Sequence, residues 1–183
     1  PRSLAVVGTG IIGLELGQAL RRLGADVTFL DRAPTVGPLT DPHLQRYVQA
    51  ELGRTLTLEL EAEIVSAELA ASGMRLEWKN ARGERASGEF EHVLVATGRR
   101  PNLDGLDLER TGLELDDRGM PAWDPQTTQC GDAPIFIAGD ANGHAPLLHE
   151  AIDEGRIAGE NAARYPHVQS HVRRTPLVIV FTD

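Results

Sequence analysis

Gly8, Gly10 and Gly13 stand in the run Gly8-Thr9-Gly10-Ile11-Ile12-Gly13, and Asp31 follows 18 residues after the last glycine. These residue types at this spacing suit one task, cradling the pyrophosphate of a dinucleotide. Gly8 permits a tight turn, Gly10 lets backbone N–H groups approach a phosphate, and Gly13 lets a helix lie close on a strand. The helix opening here would direct its N-terminal dipole at the phosphate charge. Asp31 can accept hydrogen bonds from both hydroxyls of an adenosine ribose and would repel a 2′-phosphate. That argues for NAD over NADP, although the neighbouring Arg32 leans the other way. A packing turn without ligand would use the same glycines; the flanking strand and helix and the acid beyond favour the nucleotide.

Other polar residues carry weaker signals. Glu15 falls, by its position, in the first turn of the helix, where the dipole alone stabilises a carboxylate by about 0.3–1 kcal/mol. A functional role is the alternative. Asp140 follows the apolar run Ile135-Phe136-Ile137-Ala138 and Gly139, and Thr97-Gly98 ends another apolar run. In open α/β sheets the carboxyl ends of strands are where ligands bind, yet ordinary strand-to-loop turns look the same. The six histidines make no metal case: His167 and His171 lie beside Pro166 in a polar stretch, and His144 and His149 lack a third ligand. No Gly-x-Ser-x-Gly elbow occurs. Cys130 is the single cysteine, so this chain holds no internal disulfide, cysteine-rich metal cluster or redox-active cysteine pair.

The elements that must position these residues read as α/β. Leu4–Val7 is a short buried strand, and Ile12, Leu16, Ala19, Leu20 and Leu23 recur at helical spacing up to Gly24. Gly13 and Gly17 would set a side-chain-free stripe against the sheet. Asp26–Asp31 is the second strand. Asp41 as N-cap, Pro42 at the first helical position and Gly53 at the end frame a second helix. Alternation of Met74, Leu76 and Trp78 with Arg75, Glu77 and Lys79 marks a half-buried strand, so about 62–90 reads as an antiparallel meander. His92–Ala96 is a buried strand, about 102–133 a loop region, and Ile135–Ala138 a further strand. A last helix runs from about Leu147 to Arg164, with Leu148, Ala151, Ile152, Gly155 and Ala158 on its packed face and Glu150, Asp153 and Glu154 placed by the dipole. Pro166 stops it before a polar linker.

A chain of 183 residues can bury a real core. Lys+Arg 18 against Asp+Glu 27 gives a net charge of −9, which lacks the basic face a nucleic-acid or anionic-membrane partner would need. No apolar run approaches the roughly 18 residues of a membrane helix, and no export signal precedes Leu4. A cytoplasmic protein without nucleic-acid or membrane partners is expected. The start at Pro1 and the end within an apolar run read as a piece of something longer.

Three signatures occur in order: Val7-Gly-Thr-Gly-Ile-Ile-Gly-Leu-Glu15, Val93-Leu-Val-Ala-Thr-Gly-Arg-Arg-Pro-Asn102 and Ile135-Phe-Ile-Ala-Gly-Asp140. Leu147-Leu-His-Glu-Ala-Ile-Asp-Glu-Gly155 and Pro176-Leu-Val-Ile-Val-Phe-Thr-Asp183 follow. Over essentially its whole length the chain resembles the class I pyridine nucleotide–disulfide oxidoreductases, and among them the dihydrolipoyl dehydrogenases most. The resemblance implies an α/β, Rossmann-like NAD-binding domain with a parallel sheet, flanking helices and an antiparallel β-meander. It implies that Gly8, Thr9, Gly10, Ile11, Ile12, Gly13 and Asp31 hold NAD. Ile64 would lie near the adenine, Ala96, Thr97, Gly98 and Arg99 beside the cofactor, and Glu15 beside the nicotinamide. Asp140 would bond the FAD ribityl chain and Leu148 contact the flavin through its backbone.

By the same resemblance, residues 1–118 match the NAD domain, 119–165 the C-terminal segment of an FAD domain, and 166–183 a linker and first strand of a dimerisation domain. The family's FAD glycine loop, cysteine pair and C-terminal His-Glu pair have no counterpart here. The implied parent is a homodimer that passes electrons from a dithiol through FAD to NAD, with the remaining FAD and dimerisation domains as this chain's partners. The isolated chain would bind NAD(H), hold FAD poorly and be inactive alone. A glutathione- or mercuric-type reductase of the family, or a flavin-free NAD module, is the alternative. No catalytic residue and no metal ligand is expected in this stretch.

Overall fold

The computed structural model describes residues 1–175 and 177–181. Pro176, Thr182 and Asp183 of the last quoted signature lie outside the described residues. Two compact units emerge, one of residues 1–98 with 178–181 and one of 99–177.

The first unit holds two sheets. Strands β1 (Ser3–Val7), β2 (Asp26–Leu30), β3 (Thr57–Glu59) and β7 (His92–Val95) form a parallel sheet in the order β3-β2-β1-β7. Helix α1 (Ile11–Arg22) links β1 to β2, and α2 (Pro42–Leu52) links β2 to β3. Strands β4 (Glu63–Ala70), β5 (Gly73–Lys79) and β6 (Arg85–Phe90) form the antiparallel meander that the alternating residues predict. One core cluster joins Leu4, Val6, Leu14, Val27, Phe29, Val36 and Leu52 between the parallel sheet and its helices. A second joins Ala5, Leu30, Leu76, Trp78 and Phe90 under the meander. Odd and even residues of β1 thus serve the two faces, as a period of two requires.

The helix boundaries follow from local chemistry. Asp41 Oδ1 accepts from the His43 N–H (2.7 Å) and the Leu44 N–H (3.1 Å), capping α2 with Pro42 just inside. Gly24, at φ +95°, follows the last turn of α1, and its N–H donates to the Arg21 carbonyl. Gly17 is there for contact: a Cβ at this position would overlap the Phe29 ring.

The elements depart from the sequence reading in several places. The short strand β3 escapes the sequence reading because three residues show no period. Strand β7 is not buried: it lies at the edge of the sheet, and Val95 is 69% exposed. Ile135–Ala138 forms no strand; Phe136 makes one isolated antiparallel bridge to Gln129, since an apolar run becomes a strand only with a ladder to join. The last helix, α3 (Leu148–Arg164), is found, but its packed face is another one. Glu150, Glu154, Ile157 and Asn161 are buried, whereas Leu148 and Ile152 are exposed. The buried stripe keeps helical spacing but is mostly polar, so hydrophobic periodicity picks the wrong face.

The candidate nucleotide and Asp140 sites

In the first unit the glycine turn leaves β1 and enters α1. Gly8, at φ +106°, makes the turn in a conformation that side-chain-bearing residues rarely adopt. A Cβ on Gly8 would overlap the Ala96 carbonyl, and one on Gly13 would overlap the Gly8 carbonyl. Three segments therefore meet at backbone distance, with Ala96 among them. Gly10 differs: a Cβ there would meet nothing within 4 Å. It is the N-cap of α1 and brings no side chain to the N–H groups of the first turn, which an α-helix leaves without an intrahelical partner. This is a cradle with room for a phosphate, and the residues fit a dinucleotide.

Asp31 sits just past the carboxyl end of β2. Its Oδ2 accepts from the Thr9 N–H (2.6 Å) and the Thr9 hydroxyl (2.8 Å), and its Oδ1 accepts from the Ala33 N–H (2.9 Å). The loop beyond is pinned by buried Gln45, whose amide bonds both the N–H and the carbonyl of Val36 and the carbonyl of Leu39. The Gly37 N–H closes this loop onto the Thr9 carbonyl (2.8 Å). The expected contact residues Ile11 and Ile12 lie in the first turn of α1, Ile12 half exposed.

Glu15 lies in the second turn of α1, not the first, because the helix begins at Ile11. The dipole is therefore a weak reason for its presence. Its Oε1 accepts from the Phe181 N–H (3.3 Å), while the Gln18 amide donates to the Phe181 carbonyl (3.5 Å). Thr97 and Gly98 are exposed after β7. Ile64 is on β4, packed against the meander cluster, and the Ala62 N–H before it donates to the Asp31 carbonyl (2.8 Å).

In the second unit Asp140 stands in a short 3-10 turn, Gly139–Asn142. The Arg99 guanidinium donates to Asp140 Oδ2 (2.9 Å) and to the Pro146 carbonyl (2.9 Å). Arg99 thus clamps Asp140, a role that the sequence reading misses. Both side chains are half exposed and line an open cleft of about 1400 Å³ with Asn102, Trp123 and Pro146. Leu148 opens α3 without a side-chain cap.

Beneath this turn lies the network that sequence reasoning does not find. Glu154, fully buried, accepts from the Gly139 N–H (2.6 Å) and the Asn142 amide (2.7 Å). Arg173 pairs with Glu154 (2.7 Å) and with Glu150 (2.5 Å). The contact with Glu154 Oε1 has ion-pair distance without hydrogen-bond alignment, and the other Glu154 oxygen serves the turn. A buried carboxylate on this scale persists only when paired and hydrogen-bonded. The available sign in the sequence is the spacing of Glu150, Glu154 and Asn161 on one face.

Cys130 is buried, and burial pushes its thiol pKa up, which makes it a poor nucleophile. Among the described residues, no group of three metal-ligating side chains occurs, and no helix is long and apolar enough to cross a membrane.

Comparison with known proteins bears on the same residues. The family model described as pyridine nucleotide-disulphide oxidoreductase matches residues 1–155. Dihydrolipoyl dehydrogenase 3 of Pseudomonas putida is 38% identical over 170 residues, 91% of this chain and 36% of that protein. A dihydrolipoyl dehydrogenase of Thermus scotoductus is 32% identical over 165 residues, 89% of this chain and 36% of the relative. The crystal structure of LpdA from Mycobacterium tuberculosis superposes with a TM-score of 0.79 at 28% identity, over 100% of this chain and 39% of that one. The chain thus spans about a third of its relatives' length. A glycine cradle backed by an acid, with a carboxylate turn further along and a match over residues 1–155, makes this chain a member of the pyridine nucleotide–disulphide oxidoreductase family.

Proposed function

We propose that this chain is the NAD(H)-binding part of an FAD-dependent dithiol–disulfide oxidoreductase of the dihydrolipoyl dehydrogenase kind. Residues 1–118 are assigned to the NAD domain, 119–165 to the end of an FAD domain, and 166–183 to a linker and the start of a dimerisation domain. The other domains of a homodimeric, cytoplasmic parent are its partners. When bound, NAD supplies a hydride acceptor and FAD the relay that receives electrons from a dithiol.

This chain's residues supply binding. The α1 N-terminus and Gly10 would take the pyrophosphate, and Asp31 the adenosine ribose, with Ile64 toward the adenine. Glu15 and Ala96 to Arg99 would flank the nicotinamide side. Asp140 would accept from a ribityl hydroxyl, and the backbone at Leu148 would meet the flavin.

One observation carries the reading: Asp31 is bonded directly to Thr9 of the glycine turn, so ribose and phosphate recognition are built as one piece. The test is calorimetric titration of the chain with NADH and with NADPH. NADH binding in preference to NADPH, lost in Asp31→Arg, is the expected result. A folded chain that binds neither nucleotide would overturn the proposal.

A further inference from the structure

The turn that presents Asp140 is held from two sides. On the cleft side Arg99 bonds Asp140 Oδ2 and the Pro146 carbonyl, and no described residue bonds Asp140 Oδ1. On the inner side stands Glu154, fully buried, whose Oε2 accepts from the Gly139 N–H (2.6 Å) and the Asn142 amide (2.7 Å). Asn142 extends this grip, because its Oδ1 accepts from the His144 N–H (2.9 Å). Glu154 Oε1 has no hydrogen-bond donor, and the cation against it is the Arg173 guanidinium at 2.7 Å. Arg173 comes from the polar linker after α3, yet its side chain is only 17% exposed. A carboxylate buried without a cation takes a proton or moves away. In the first case Oε2 becomes a neutral acceptor, about half as strong for the same donors. In the second the Gly139 N–H and the Asn142 amide lose their acceptor outright.

We infer that Arg173 is a positioning residue for Asp140: its charge holds Glu154 in the orientation that fixes the Gly139–Asn142 turn, so the linker on α3 and the presentation of the Asp140 carboxylate form one state. The inference rests on the flavin reading of Asp140 and adds the residue that keeps this carboxylate in place for a ribityl hydroxyl. The linker has other fastenings. The Gln169 N–H donates to Asn161 Oδ1 (2.9 Å), the Gln169 carbonyl accepts from the Asn161 amide (2.9 Å), and the His171 N–H donates to the Gln126 carbonyl (3.0 Å). The effect of Arg173 on the turn can therefore be read apart from the anchoring of the linker.

The test is amide hydrogen exchange, followed residue by residue by NMR, on the unaltered chain, Arg173→Met, Arg173→Lys and Glu150→Gln. In Arg173→Met the Gly139 N–H and the Asn142 side-chain amide should exchange about five-fold faster or more. The Gln169 and His171 N–H groups should keep their rates. Arg173→Lys retains the charge and should restore most of the protection, and Glu150→Gln, which leaves the Arg173–Glu154 pair, should not disturb Gly139. Adding Arg173→Met to Glu154→Gln should speed Gly139 no further, because Arg173 acts through Glu154. A residue that only fastened the linker would free Gln169 and His171 and leave Gly139 slow. Unchanged Gly139 exchange in folded Arg173→Met, or an effect that adds to that of Glu154→Gln, overturns the inference. Where Arg173→Met does not fold, a Gly139 amide as fast in Arg173→Lys as in Glu154→Gln overturns it.

Titration with FAD, read by flavin fluorescence, separates this inference from the reading beneath it. FAD binding by the unaltered chain, weakened about three-fold or more in Arg173→Met as the turn spends less time in place, is the expected result. Equal FAD binding by the two chains overturns the positioning role. A chain that binds no FAD, but whose Gly139 amide answers to Arg173 through Glu154, removes the flavin role of Asp140 and keeps the hold of Arg173 on its turn.

Discussion

At the scale of single residues, the glycines of α1 separate into two kinds. Gly10 faces open space at φ −69°, an ordinary conformation. Gly10→Ala should therefore keep the unfolding midpoint nearly unchanged, an N-cap cost of about 1 kcal/mol at most, while NADH affinity falls at least about ten-fold as the methyl enters the phosphate cradle. Gly17 is the reverse. It lies deep in the helix, where alanine by itself would gain about 0.5–1 kcal/mol, but its Cβ would overlap the buried Phe29 ring. Overpacking costs about 1–3 kcal/mol, so Gly17→Ala should lower stability measured by urea unfolding. A ligand glycine and a packing glycine are thereby distinguished by two assays on two variants.

At the scale of elements, α3 works as a polar support. Its buried face carries Glu150, Glu154 and Asn161, and each bonds something outside the helix. Glu154 holds the turn that carries Asp140, and Asn161 bonds the Thr127 and Gln169 carbonyls (3.0 and 2.9 Å). Glu154→Gln leaves the Arg173 charge with one carboxylate and presents an amide N–H₂ among donors. Removing one partner of a buried pair costs about 3–5 kcal/mol; because Glu150 remains, the lower end is expected, read as a lower denaturation midpoint. The Gly139 amide should also exchange its hydrogen faster in this variant. Ile152→Ala, on the exposed side of the same helix, should change stability by no more than about 0.5 kcal/mol, which reverses the ranking that hydropathy suggests.

At the scale of the whole molecule, the two units differ in what holds them. The first has a four-stranded parallel sheet and a three-stranded meander, each facing a core cluster. The second, among its described residues, has isolated bridges, short turns and α3. Amides of β1 and β2 should accordingly be the slowest to exchange, and those of the loop region 102–133 among the fastest, in a hydrogen-exchange experiment. Cys130 offers an independent probe of the second unit. Buried and with its thiol pKa pushed up, it should resist alkylation at neutral pH until the protein is denatured. Rapid labelling of the native chain would show that this unit opens.

The sequence by itself determined the parts governed by near neighbours. The glycine turn, the acid after β2, the Asp41-Pro42 start of α2 and the alternating meander follow from backbone sterics, capping and side-chain period. The family is legible for the same reason, since its signatures are short, contiguous runs. Tertiary structure decided the rest. Strand β3 and the edge position of β7 depend on which strands they meet, and Ile135–Ala138 finds no ladder. Buried Glu154 needs donors from Gly139, Asn142 and Arg173, which are scattered along the chain, so periodicity points instead to Leu148 and Ile152. Burial of a polar group becomes favourable only when partners converge on it in space, and one-dimensional spacing does not record that convergence.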